Sequence, residues 1–356
     1  MTAVPFVSAA GSPRDLGRRH GAALATGLRA FLGDDLARLD RILEAPVPPG
    51  ELRRAVQAHT AVVEEAVPEL AEEVRGLADG AGIEPEQAML LQLRRELMGY
   101  RRVPATGDCT TYARAASRAG SRGEPVVAQT VDLNGDLDDQ IAVLRLARDG
   151  APRRVLVLSF AGLLGYVGLN SDGLAVGLNL VFGGTWRPGV PPYLAVRHVL
   201  DEAESVDEAV AILKGLPLAS SRCFTLCDAS KAAYAEAVDD ELRVVEADET
   251  VHTNHYLHPD LEPRDEINVF ARNSSARRLD ACRTALAGLP RDADPERHFA
   301  LLCEPPIRVP GNGDVRTDRT VAAVVMLPAR GELHVRPGDP ARSATEIFTL
   351  EGPSER

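Results

Sequence analysis

Cys109, followed at once by Thr110 and Thr111, is the residue of this chain best equipped to do chemistry. A thiol becomes a good nucleophile when a base takes its proton or its surroundings lower its pKa. The usual base is a histidine, and none lies near Cys109 in the sequence. A second solution exists. If the chain is cut before Cys109, the residue gains its own α-amine, whose ordinary pKa of about 7.7–8.0 suits general-base work near neutrality. Gly107-Asp108-Cys109-Thr110-Thr111-Tyr112 therefore reads both as a nucleophile and as a cleavage site, with the cut between Asp108 and Cys109.

A second set of residues raises metal binding as an alternative. Cys223-x3-Cys227 and His252-x2-His255-x2-His258 supply the ligand types that zinc takes. Against this, the Cys spacing on a strand puts both thiols on one face, where cysteine packs as a small apolar side chain.

The elements that must position these groups change character at Cys109. Before it the pattern is helical. Ser12-Pro13-Arg14-Asp15 offers a serine cap with an acid three residues on, and apolar residues recur at helical spacing to Leu43. Gly17 and Gly21, one turn apart, allow close backbone packing, with His20 beside them as a structural histidine. APVPPG (45–50) breaks the pattern. Helical spacing resumes over 51–81 and again over 84–100. Arg94, Arg95 and Glu96 in the last helix read as a solvated face or a simple salt bridge. Residues 1–105 thus read as an all-helical preface.

After Cys109 the period shortens. Residues 125–133, 141–147 and 153–161 read as strands. Two more flank Asn170-Ser171-Asp172-Gly173, a sequence suited to a tight hairpin. Helical spacing returns over 192–216, broken near a capping box at Ser205. Residues 223–229, 232–238 and 242–247 read as a second antiparallel set, 273–286 as a helix, and 320–328 with 331–338 as a closing hairpin. Strand sets interrupted by helix pairs imply an α+β fold with layered sheets covered by helices.

The bulk numbers fit a folded chain with a sizeable core: 356 residues, 45% hydrophobic and 26% charged. A net charge of −12 argues against a nucleic-acid partner. No apolar run approaches the roughly 18 residues of a membrane span, and the first residues lack the pattern of a signal peptide. Five cysteines at irregular spacing argue against a disulfide framework, so a cytoplasmic location is expected.

Several segments together carry a family resemblance: PELAEEVRGLADGAGI (68–83), LLQLRRELMGY (90–100), DCTTY (108–112), VVAQTVDLNGD (126–136), GYVGLNSDGLAVGLNLV (165–181), SVDEAVAIL (205–213), VHTNHYLHP (251–259), NSSARRLDACR (273–283) and TVAAVVMLPARGELHVRPGDP (320–340). In this order and spacing the chain resembles the acyl-coenzyme A:6-aminopenicillanic acid acyltransferase (isopenicillin N acyltransferase) family of N-terminal nucleophile hydrolases. The resemblance implies a four-layer αββα sandwich and a precursor that cuts itself. It implies a helical small subunit, 1–108, that stays bound to a core subunit, 109–356. Cys109 is the implied acyl carrier, taking its acyl group from a small-molecule amide or thioester, coenzyme A thioesters included, and passing it to water or an amine. No cofactor is implied, and a homo-oligomer is left open. Asp132 matches the acid that positions the nucleophile region, and Asn254 the oxyanion donor. Asn179, Thr110, Ser274 and Arg277 match supporting or substrate-binding positions. The chain departs from the family pattern at Asp108, where glycine is common, and at Val131 and Leu133, which flank Asp132 where an aromatic is common. A non-enzymatic binding protein that keeps the fold uncut is the other alternative.

Overall fold

The computed structural model describes residues 3–99, 109–116 and 123–351, so Gly107 and Asp108 lie outside the described residues. In chain order it opens with strand β1 (Phe6–Gly11). Five helices follow: α1 (Pro13–Gly33), α2 (Leu39–Ile42), α3 (Pro49–Ala66), α4 (Pro68–Ala81) and α5 (Pro85–Met98). Then come β2 (Thr110–Arg114), β3 (Val126–Leu133), β4 (Ile141–Arg148), β5 (Arg154–Phe160), β6 (Val167–Asn170) and β7 (Ala175–Leu180). Helices α6 (Pro192–Glu202) and α7 (Val206–Gly215) precede β8 (Arg222–Cys227), β9 (Ala232–Val238), β10 (Glu241–Ala247) and β11 (Glu249–His252). Helices α8 (Val269–Ala287) and α9 (Pro295–Cys303) lead to β12 (Arg319–Leu327), β13 (Glu332–Pro337) and β14 (Glu346–Thr349).

The strands form two sheets, one of eight strands ordered β1-β4-β5-β6-β7-β8-β9-β10 and one of six ordered β11-β2-β3-β12-β13-β14. The sheets face each other where β2 and β3 meet β7 and β8. Helices α6 and α7 pack on the far side of the eight-stranded sheet, α8 and α9 on the far side of the other. This is the αββα sandwich of an α+β fold. Between the sheets, side chains of alternating strand positions are fully buried, among them Val127 and Val131 of β3. Burial of such surface, at about 25 cal/mol per Å², is the main driving force for the layering.

Three local features differ from the sequence reading. The preface is not all helical, because Phe6–Gly11 is a strand that lies parallel to β4, pairing Phe6 with Val143 through to Gly11 with Arg148. Its buried residues, Val7 and Ala9, alternate with exposed ones, the period of a strand. Second, the helix from Ser12 does not reach Leu43. It ends at Gly33, and Asp35, Leu36, Ala37 and Arg38 follow with φ of 47–61°. Left-handed residues with side chains cost roughly 1–2 kcal/mol each. Arg38 offsets this by donating to the carbonyls of Gly135 and Asp136 at 3.0 and 2.7 Å and pairing with Asp139 at 2.6 Å. Third, helix α8 begins four residues before the expected start, at an Asn268 cap.

Helices α1 and α4 pack backbone against backbone, as the glycine spacing suggested. A Cβ on Gly17 would sit 1.9 Å from the Glu73 carbonyl oxygen, and one on Gly80 would sit 2.0 Å from that of Arg18. Gly80→Ala is expected to destabilise the protein by about 1–3 kcal/mol despite the better helix propensity of alanine, because the helices must part. Urea denaturation checks this; an unchanged midpoint would refute the packing argument. Among the described residues no helix is long and apolar enough to cross a membrane.

Candidate active site

Strand β2 starts at Thr110 and pairs with β3 in the register Thr110 to Thr130, which sets Cys109 against the end of β3. The thiol there is held by main chain: the Asp132 N–H donates to Sγ at 3.4 Å, and Sγ faces the Asp132 carbonyl at 3.7 Å. The Tyr166 hydroxyl lies 4.0 Å from Sγ. The carbonyl of Cys109 receives two donors, Asn179 Nδ2 at 3.1 Å and Arg278 Nη1 at 2.9 Å. A third clamp runs from the Thr110 N–H to Thr130 Oγ1 at 3.1 Å, and from that hydroxyl to Asp132 Oδ2 at 3.3 Å. Cys109 is thus fixed on its backbone while its sulfur reaches a cleft.

The cleft is lined by apolar side chains such as Leu91, Met98, Phe160, Leu163, Leu178 and Leu180, with Cys109, Asp132 and Asn254 among its polar groups. Its opening follows from strand lengths. Strand β6 has four residues and pairs with β7 only at Val176 and Ala175, so the rest of β7 is uncovered on that side. Gln129 of the opposite sheet takes up the exposed main chain, accepting from Leu178 N at 3.0 Å and donating to Leu178 O at 2.7 Å. Tyr166 stacks on Tyr193 at 5.4 Å to wall one side.

Burial pushes the Cys109 thiol up to about 12; the Asp132 charge adds to this, and the Asp132 N–H and Arg278 partly offset it. The thiol is therefore protonated near neutral pH and needs a base in contact. Among the described residues no histidine lines the cleft.

Asn254 sits in a turn after β11 that is held at both ends by one buried carboxylate. Glu236 of β9 accepts from His252 Nε2 at 2.8 Å, Leu257 N at 2.6 Å and His258 N at 3.0 Å. Burial alone would raise the pKa of Glu236, but these hydrogen bonds outweigh it and hold the carboxyl below its usual range. His252 Nδ1 faces the Thr253 carbonyl at 2.8 Å. Both ring nitrogens of His252 thus face acceptors. Within this frame Asn254 N donates to Ser275 Oγ at 2.8 Å, its Oδ1 accepts from Arg278 Nη2 at 3.0 Å, and its Nδ2 gives one hydrogen to Leu180 O at 2.9 Å. The second Nδ2 hydrogen is available to a ligand. His255, on Ser275 Oγ at 2.7 Å, is pushed down to about 4 by burial and neighbouring cations, so it stays neutral.

Of the residues singled out from sequence, Cys109, Thr110, Asp132, Asn179 and Asn254 come together here. Arg277 does not hold the place expected of it, because it is exposed, whereas Ser274 lies within 3.5 Å of Arg278 Nε at the edge of the site. The neighbours Ser275 and Arg278, both fully buried, contact Asn254 and the Cys109 carbonyl. The helix face decides this: Ala271, Ser275, Arg278 and Cys282 share the buried stripe of α8, and the period of 3.6 residues excludes Arg277 from it. That stripe was readable in advance. Tyr166 and Glu236 carried no local signal. Glu96 is no solvated residue, since it pairs with Arg222 at 2.9 Å with both side chains 2% exposed.

The alternative metal set is dispersed. Among the described residues no group of three or more His, Cys, Asp or Glu converges on one point. Cys227 faces the Arg114 carbonyl at 3.2 Å, and His252 and His255 are committed to Glu236 and Ser275.

The family model described as acyl-coenzyme A:6-aminopenicillanic acid acyl-transferase matches residues 119–341. The match begins after Cys109, so it stands independently of the proposed nucleophile. The 40 kDa form of acyl-coenzyme A:6-aminopenicillanic-acid-acyltransferase from Emericella nidulans is 28% identical over 255 residues, covering 70% of this chain and 69% of that protein. Penicillin V acylase from Agrobacterium tumefaciens superposes with a TM-score of 0.51 at 17% identity, over 68% of this chain and 86% of that one, so the fold is shared. The Caenorhabditis elegans ortholog of N-acylethanolamine-hydrolyzing acid amidase superposes more loosely, with a TM-score of 0.47 at 19% identity, over 67% of this chain and all of that one.

Proposed function

Because the chain belongs to the acyl-coenzyme A:6-aminopenicillanic acid acyl-transferase family, an enzyme family of acyl transfer and amide hydrolysis, we propose that it is a self-processing enzyme with Cys109 as nucleophile. In the precursor, Sγ attacks the Asp108 carbonyl carbon, the peptide C–N bond breaks, and the amine of Cys109 is freed as a thioester forms. Water hydrolyses that thioester. Chains 1–108 and 109–356 result.

In the cut enzyme the α-amine of Cys109 takes the thiol proton, and Sγ attacks the carbonyl carbon of an acyl amide or thioester. The oxyanion accepts from the second Nδ2 hydrogen of Asn254. The α-ammonium then protonates the leaving amine or thiol, and the acyl group rests on sulfur. Water or an amine attacks in the second half, returning the proton to Sγ. Thr110, Asn179 and Arg278 hold the Cys109 backbone, and Asp132 holds the thiol. The observation that carries this reading is the clamped Cys109 whose buried, protonated thiol opens on an apolar cleft with no histidine lining it among the described residues.

The two chains stay together by contacts that cross the cut. β1 lies in the core sheet, Glu73 of α4 pairs with Arg197 of α6 at 2.8 Å with both fully buried, and Glu96 pairs with Arg222. Breaking a buried pair by removing one partner costs about 3–5 kcal/mol.

Intact-mass spectrometry tests the proposal. Two masses that divide the chain at Asp108–Cys109 are expected, with an acyl adduct on the larger after exposure to a panel of acyl amides and thioesters. One unbroken mass without an adduct would overturn it. Adding an amine acceptor then separates transfer from hydrolysis, by whether the acylated amine or the free acid accumulates.

A further inference from the structure

Strand β7 reaches the cleft with one edge uncovered. In an antiparallel ladder each residue turns its N–H and C=O to the same neighbour, and successive residues turn them to opposite neighbours. Leu178 and Leu180 turn theirs to the side where β6 has ended, since β6 pairs only with Val176 and Ala175. Buried main-chain groups are costly to leave unpaired. Two carboxamides take the place of the missing strand. Gln129 of β3, fully buried, accepts from Leu178 N at 3.0 Å and donates to Leu178 O at 2.7 Å. Asn254 donates to Leu180 O at 2.9 Å. A carboxamide carries an acceptor and a donor side by side, so Gln129 supplies what a peptide group of a paired strand would supply. The fit needs Gly177 beside it: a Cβ there would sit 2.9 Å from Gln129 Oε1 and 2.8 Å from Thr111 Cγ2. Between the two stapled residues stands Asn179, whose Nδ2 holds the Cys109 carbonyl at 3.1 Å. The open edge of β7 is therefore one rail that bears both the clamp on Cys109 and the amide of Asn254. Gln129 itself is not among the residues lining the cleft.

We propose that Gln129 is a positioning residue: by standing in for a strand along β7 it fixes Asn179 and Asn254 relative to each other, and through Asn179 it fixes Cys109. This rests on the roles proposed for Cys109 and Asn254, and adds to them a residue that touches neither the substrate nor the reacting atoms. Two variants separate the carboxamide's hydrogen bonds from its bulk. Gln129→Met keeps the length of the side chain and removes both bonds. Gln129→Glu, its carboxyl kept protonated by burial, still accepts and donates from the same two places.

Two measurements on the full-length chain test this, and neither needs an added substrate. The first is hydrogen exchange read by NMR. In the wild type the Leu178 N–H is expected to exchange as slowly as the amides of β9. In Gln129→Met it should exchange at least tenfold faster, together with the side-chain amide of Asn179, while β9 is unchanged. The second is the rate of self-cleavage, followed on pulse-labelled chains made by cell-free synthesis. Gln129→Met should be cut about tenfold more slowly than the wild type, and Gln129→Glu within threefold of it. A Leu178 N–H that exchanges in the wild type like an open edge would overturn the proposal, whether or not Gln129→Met folds. So would a Gln129→Met chain with wild-type exchange, or a Gln129→Glu chain no better than Gln129→Met. The two proposals fail separately. A wild type that is never cut, with the exchange pattern as expected, sinks the nucleophile and spares the staple; a cut wild type matched in rate by Gln129→Met sinks the positioning role alone.

Discussion

Cys109→Ala is expected to migrate as one band on a denaturing gel where the wild type gives two, and to lose acyl turnover by roughly 10⁴-fold or more, the scale seen when a covalent nucleophile is removed. Both losses follow from one atom. In the proposed reaction Sγ is the attacking group in the cut and in each later turnover, and among the described residues no other side chain lining the cleft is a thiol or an aliphatic hydroxyl. The fold should survive. Cys109 is 4% exposed, but its position is fixed by main-chain groups, namely its carbonyl on Asn179 and Arg278, and these remain in the variant. Circular dichroism and a denaturation midpoint near that of the wild type check this. A chain still cut between Asp108 and Cys109 in the alanine variant would show that Sγ does not perform the cleavage.

Asn254→Ala is expected to lower kcat by roughly 10²–10³, the usual cost of losing one oxyanion donor. The effect should fall on kcat more than on KM, because the oxyanion exists only along the reaction path. Glu236→Gln is the companion test. It leaves Asn254 in place but removes the charge on which His252, Leu257 N and His258 N all converge. A smaller fall in kcat is expected, about tenfold, with KM nearly unchanged, because a turn held less firmly presents the amide less often in the productive place. A Glu236→Gln enzyme with wild-type kcat would mean that the turn needs no such anchor. An Asn254→Ala enzyme with wild-type kcat would remove Asn254 from the reaction.

Much of the architecture was legible because its signals are local. The change of period at Cys109, the Ser12 and Ser205 caps and the Asn170–Gly173 hairpin depend only on neighbours in the chain. The cap at Ser12, for instance, receives Asp15 N at 3.3 Å. What escaped was set by distant partners. β1 is a strand because β4, more than a hundred residues on, offers it an edge. The left-handed turn at 35–38 contains no glycine and exists because Arg38 binds the loop at 135–139. The same division holds in the site. Cys109 and Asn254 stand in short motifs, whereas Glu236 acts from the middle of a strand that looks ordinary. The Arg277 to Arg278 slip is of another kind: a motif was matched one residue away from the face that the helix period buries.

The place of β1 also bears on how the protein can be assembled. While the chain is continuous, β1 and α1 return to β4 by closing a loop, an intramolecular event. Once the bond before Cys109 is cut, nothing covalent brings them back. Unfolding then releases two molecules, and recovery becomes a second-order encounter whose yield depends on dilution. If the chain cuts itself as proposed, folding must precede cleavage, and the cut makes the folded state one that each molecule reaches efficiently only once.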